Sequence, residues 1–129
     1  MTAAARYRAA CAALGLPVWR PGMLALRHAP GCRDDGRAEV RVRGANDAEA
    51  AEFFGCVPDF TDPATVGCLL AAVREAWACP TLSAAWCFVP HPGGDWFVPR
   101  IPADAYGGTE ADALIAALEA AAARRRGQP

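Results

Sequence analysis

The clearest periodicity in the chain runs from residue 63 to residue 77, where Val66, Leu69, Leu70, Val73 and Trp77 recur at i, i+3, i+4, i+7 and i+11. That spacing puts large apolar side chains on one stripe of a helix. Pro63 suits the first helical position, because its missing N–H would have no intrahelical partner there, and Thr61 or Asp62 can cap the helix. Gly67 and Cys68 are small and allow close approach by a neighbouring element. Full burial contributes roughly 1.5–3 kcal/mol per large side chain, so the pattern predicts a central helix and a major share of the core.

The pattern elsewhere is shorter. Tyr7, Cys11 and Leu14 share one face of a helix that Thr2 can cap and Gly15 and Pro17 end. Met23 to His28 reads as a strand, and Ala29 to Gly36 is dense in turn formers. From Arg37 to Arg43 the chain alternates: Ala38, Val40 and Val42 point to a buried face, and Arg37, Glu39, Arg41 and Arg43 to the other. The two strands are expected to pair as a hairpin. Asn46 with Glu49 resembles a capping box and opens a short helix to Phe54, with Gly55 after it. Ala84–Val89 and Asp95–Val98 read as strands around the turn Pro90-His91-Pro92-Gly93-Gly94. Thr109 with Asp112 opens a last helix to about Arg126, with Leu114, Ile115 and Leu118 on its face. Its acidic start and basic end match the helix dipole.

This order predicts an α+β fold. Two antiparallel β-hairpins form a small sheet packed against a central helix and N- and C-terminal helices. At 129 residues the length predicts a single domain, residues 1–129. Apolar residues make up 53% of the chain, which argues against disorder, although much of that fraction is alanine.

All 13 basic residues are arginine, which with the abundant Ala, Gly and Pro points to a GC-rich gene. The net charge of −1, with both signs interspersed, lacks the basic footprint of a general nucleic-acid binder. A nucleic-acid partner is therefore not favoured. No apolar run approaches the roughly 18 residues of a membrane span. The N-terminus lacks a signal-peptide pattern, so a cytoplasmic protein with no membrane partner is expected. Homo-oligomerisation stays open.

Six cysteines stand at 11, 32, 56, 68, 79 and 87, without any Cys-x-x-Cys. In a cytosolic chain they read as reduced, small apolar residues. His28-x-x-x-Cys32 and Cys87-x-x-x-His91 have metal-ligand spacing, and together offer a Cys2His2 set for zinc. Coincidence among six cysteines is the competing reading. Cys87, His91 and Asp95 can be arranged as nucleophile, base and orienter, against a plain packing role for Cys87. Arg37, Arg41 and Arg43 form a solvated strand face, or a surface for an acidic partner, since guanidinium grips oxyanions in pairs. Trp19, Trp86 and Trp96 stand out because a core needs few tryptophans, and at least one is expected half exposed in a loop or at a strand end; Trp19 and Trp96 join the arginines as candidate interface anchors, against the commoner buried role.

The segment Pro58-Asp59-Phe60-Thr61-Asp62-Pro63-Ala64-Thr65-Val66-Gly67-Cys68-Leu69-Leu70-Ala71-Ala72-Val73-Arg74-Glu75-Ala76-Trp77 resembles a stretch in small uncharacterised phage and prophage proteins of GC-rich bacteria. Positions 60 and 72 are more often Leu in those proteins. Trp19-Arg20-Pro21-Gly22-Met23 and Ala113-Leu114-Ile115-Ala116-Ala117-Leu118 look like parts of the same layout. The resemblance brings no assigned activity and no functional residue. It implies a phage accessory gene expressed in a bacterial cytoplasm. With no catalytic motif in the chain, the expectation is a non-enzymatic protein that binds a host or phage macromolecule. An inhibitor of a host defence system, anti-CRISPR-like, fits that setting. The alternatives are a small zinc-stabilised binding domain and a phage structural or assembly component.

Overall fold

A computed structural model describes residues 1–28, 37–89 and 91–127, with the side chains of residues 28, 37 and 38 outside the description. The fold is α+β, and the described residues form four helices and two three-stranded antiparallel sheets. Its contacts gather into two compact units, residues 19–68 and residues 1–18 with 69–129.

In the unit of residues 19–68, strand β1 (Leu24–His28) is central, flanked by β2 (Arg37–Arg41) and β3 (Val57–Pro58). The expected hairpin is present, with Leu24 opposite Arg41 and Leu26 opposite Glu39. The ladder runs on past β2, where the Val42 N–H donates to the Met23 carbonyl at 2.8 Å. Strand β3 had no sequence signal, since it is two residues long and ends in proline. It fits because Pro58 lies at a sheet edge, where no donor is required. Helix α2 (Ala45–Phe53) starts from Gly44 without a side-chain cap, so the expected capping box of Asn46 and Glu49 does not form.

The N-terminus of helix α3 (Pro63–Ala76) is tied into the same unit through Asp62. One Asp62 oxygen accepts from the Thr65 N–H at 3.0 Å, its hydroxyl at 2.9 Å and Arg41 Nη1 at 2.6 Å. Thr65, fully buried, in turn accepts from the Leu24 N–H at 2.9 Å. One carboxylate thus caps the helix and pins β1 and β2 to it. The hydrogen bond from Arg41, foremost, and those from Thr65 hold the Asp62 carboxyl below its ordinary value of 3.8. A carboxyl depressed in the fold stabilises above its unfolded value, and that contribution is lost as pH falls through the folded value. Asp62→Ala is expected to cost about 1–2 kcal/mol, mostly as the lost cap. Asp62→Asn should keep much of it, because asparagine also caps well. Denaturation at neutral pH measures both, and the Asp62→Ala variant should lose part of the acid limb of the stability profile.

The other unit is built on helix α4 (Glu110–Arg125). Ala111, Ala113, Leu114, Ile115, Ala117, Leu118, Ala121 and Ala122 are all buried there. Its small residues let helix α1 (Ala3–Leu14) lie close, and α1 buries Tyr7, Ala10, Cys11 and Leu14. The Tyr7 hydroxyl donates to the Val18 carbonyl at 2.6 Å, and Arg125 donates to the Leu14 carbonyl. Both helices start as predicted, with Thr2 and Thr109 accepting from Ala5 and Asp112 amides at 3.1 Å. On α3, Leu69, Ala72 and Val73 are buried while Val66 and Leu70 are half-buried. The buried stripe is therefore narrower than the sequence predicts and turned toward Ala72.

The second sheet orders as β4 (Ala85–Trp86), β5 (Trp96–Phe97) and β6 (Tyr106–Gly107). The predicted β4–β5 hairpin is there, but it does not join the first hairpin in one sheet. A third strand completes each hairpin separately. Strand β6 occupies the free side of β5, as β3 occupies the free side of β1.

Candidate interaction surface

The two faces of the β4–β5–β6 sheet differ. Trp96 stands opposite Trp86 on one side and Gly107 on the other, so these three share a face. Gly107 is packed on α4: a Cβ there would come within 2.5 Å of the Asp112 backbone. Any side chain at 107 would push the helix away.

The opposite face carries Ala85, Phe97 and Tyr106. Phe97 and Tyr106 stack with ring centroids 5.8 Å apart and 19° between planes. His91 lies flat on Tyr106 at 3.6 Å and 5°. The turn makes this contact, because His91 Nδ1 accepts from the Gly93 N–H at 2.9 Å and fixes the ring. Phe97, Tyr106 and His91, with Trp86, Phe88 and Val89, line an open recess of about 430 Å³. Among the described residues no Asp, Glu or Arg lines it. Trp86 is 54% exposed, Val89 75% and Phe88 98%. Scattered exposed apolar residues are ordinary, but a contiguous aromatic patch marks a contact surface.

The anchors expected from the sequence fall elsewhere. Trp19 is 7% exposed, and its indole donates to Glu52 at 3.1 Å, so it is a packing residue of its unit rather than a surface anchor. Trp96 is half-buried and meets Trp86 edge-on at 5.5 Å. It is the cross-strand neighbour of the exposed Trp86 on the same face. Arg41 is engaged by Asp62 and the Gly22 carbonyl, which leaves little of its fork for a ligand. Arg43 is exposed, with its backbone N–H on Asp47 at 2.8 Å. The Arg37 side chain lies outside the described residues. Val40, expected to be buried, is 51% exposed. The small Ala25, Ala50 and Ala51 around it leave an open apolar recess of about 220 Å³, with Phe54 on its rim. The Arg27 guanidinium sits 4.6 Å over the Phe54 ring.

Of the four residues with metal-ligand spacing, Cys32 and the side chain of His28 lie outside the described residues. Cys87 and His91 line the same aromatic recess. Among the described residues no three His, Cys, Asp or Glu side chains gather as a metal-holding group. Nor does the Cys87–His91–Asp95 order form a relay. His91 Nδ1 is turned to Gly93, and Asp95 meets Cys87 only through its backbone carbonyl, 2.7 Å from the Cys87 N–H. No helix among the described residues is long and apolar enough to cross a membrane.

The aromatic recess escaped the sequence reading. Ala84 to Val89 is an apolar run, and such a run reads as a buried strand. Among the described residues β4 stands at a sheet edge, where Trp86 is exposed, and the chain then bends at Phe88 and Val89, which leaves both in solvent. Comparison with protein-family models, curated proteins and solved structures finds no match.

Proposed function

We propose that this protein is a non-enzymatic binding protein, and that the aromatic face of its β4–β5–β6 sheet contacts a partner protein. One observation carries the reading: the stacked, half-buried Phe97 and Tyr106 rings and the exposed His91 line an open recess whose rim carries Trp86, Phe88 and Val89, exposed along the outer edge of the sheet. Large, rigid aromatic side chains bury much area at little entropic cost, and they dominate interface hot spots. The described residues lining the recess are apolar, aromatic or neutral in type apart from His91, a lining that suits a protein patch better than a nucleic-acid backbone, which needs basic contacts.

The phage setting implied by the sequence resemblance makes a bacterial defence component the first partner to test, met in the host cytoplasm. The protein is expressed in a strain with a CRISPR or other defence system, and phage plating is measured. Relief of restriction is expected, with direct binding to one purified component of that system. The double variant Trp86→Ser/His91→Ala should weaken that binding about tenfold or more while the melt stays cooperative. Unchanged restriction in every system tested, with no component bound, removes the anti-defence reading. Wild-type affinity in the double variant removes the surface assignment.

A further inference from the structure

Strand β4 is the outer strand of its sheet and only two residues long. The chain bends at Phe88 and Val89, so this edge is too short to hold a partner by adding a strand. Side chains must do the recognising, and those of the recess have a distinct polarity. Among the described residues the lining holds no carboxylate, amide or aliphatic hydroxyl. Its polar side-chain groups are chiefly donors. His91 Nδ1 accepts from the Gly93 N–H at 2.9 Å, which leaves the proton of the neutral ring on Nε2. Tyr106 adds a phenolic O–H, and Trp86 at the rim an indole N–H. His91 lies flat on Tyr106 and Phe97 stacks against it, so these rings spend faces on one another and leave their edges to the opening. Aromatic edges carry partial positive charge, as donors do.

We propose, on the reading that this face contacts a partner protein, that the partner presents an extended proline-rich segment to the recess. The match is one of charge complementarity. Proline has no N–H, so a proline-rich backbone offers acceptors only. In the polyproline II helix no carbonyl bonds internally, and all of them stay available. A lining of donors and positive ring edges meets those carbonyls without leaving an unpaired N–H on the ligand. The apolar part matches as well. Ala85 stands opposite Phe97 on this face, and its small side chain leaves room for a pyrrolidine ring beside the phenyl ring. A segment already held in the polyproline II form loses little entropy on docking, which suits an open site. A cationic guest fits less well, because ring faces are already stacked on one another and no carboxylate lines the recess among the described residues.

A capped oligoproline of about ten residues, titrated into the full chain and followed by two-dimensional NMR, should bind saturably at high micromolar concentrations. The shifts should centre on Ala85, Trp86, His91, Phe97 and Tyr106. A flexible Gly–Ser peptide of equal length should leave the spectrum unchanged. Tyr106→Phe keeps the stacked ring and removes one donor, so it should weaken binding about fivefold while the melt stays as in the wild type. Ala85→Phe fills the recess and should abolish binding. The proposal is overturned by no shift at millimolar oligoproline, by an equal response to the Gly–Ser peptide, by shifts centred elsewhere, or by wild-type affinity in Tyr106→Phe. Oligoproline that fails to bind, where Trp86→Ser/His91→Ala still weakens a protein partner, refutes the proline class and leaves the surface assignment standing. Oligoproline bound in the recess, with partner binding unchanged in that double variant, upholds the proline site and removes the surface from the proposed function.

Discussion

Gly94→Ala is expected to unfold the region built around the β4–β5–β6 sheet, at a cost of about 3–5 kcal/mol. Gly94 has φ +128°, a conformation that L side chains rarely adopt. Holding alanine there costs roughly 1–3 kcal/mol. The added Cβ also points into backbone. It would collide with the carbonyl of Gly107 and lie 2.7 Å from the Gly108 nitrogen. Backbone cannot rotate away as a side-chain tip can, so an overpacking cost of roughly 1–3 kcal/mol adds to the first. Gly107 is itself pressed against the first turn of α4, so β6 cannot retreat. Gly94 therefore sits against the Gly107–Gly108 backbone without room for a methyl group. Urea denaturation followed by tryptophan fluorescence measures the effect, since Trp86 and Trp96 report on this sheet. A loss below about 1 kcal/mol would mean that the turn relaxes, and that the close approach is not needed.

Leu114→Ala is expected to cost about 2–5 kcal/mol, the range for a leucine removed from a packed core. Leu114 is fully buried, as are Ile115 and Leu118 beside it. Its helix packs on α1 and on strands β5 and β6, so a cavity there has packed neighbours on several sides. Alanines along α4 already place backbones close together and leave little slack for collapse. Leu70→Ala on α3 makes the comparison informative, because Leu70 is half-buried and should cost clearly less. The hydrophobic pattern alone would rank these two leucines the other way. Equal losses in chemical denaturation would restore α3 as the centre of packing.

Much of the local architecture was legible in the sequence. Thr2, Asp62 and Thr109 cap the helices they were expected to cap, or in the case of Asp62 were named as able to cap. Both hairpins form where alternation and turn residues placed them. Such signals are short-range: a cap or a strand alternation is satisfied within a few residues, whatever lies further along the chain. For the same reason Gly15 ends α1 and Pro63 begins α3 in the expected places.

What the tertiary structure decided is where those elements' faces end up. Trp19 and Trp86 look alike as residues, yet one is 7% exposed and the other 54%. The difference lies in the neighbours: Glu52 and its unit enclose Trp19, while Trp86 stands on an outer strand. The two-residue strands β3 and β6 have too little sequence to show a period, and exist only because β1 and β5 offer them an edge. Arg41 became a partner of Asp62 rather than a free cation for the same non-local reason. The sequence by itself determined the helices, the caps at Thr2, Asp62 and Thr109, and the pairing of each hairpin's strands, because local hydrogen bonding and periodicity suffice for these. Only the tertiary structure decided that the hairpins belong to separate sheets, that α4 rather than α3 carries the densest packing, and that the aromatic face stays open. Burial and exposure are properties of distant segments brought together, and no local pattern encodes them.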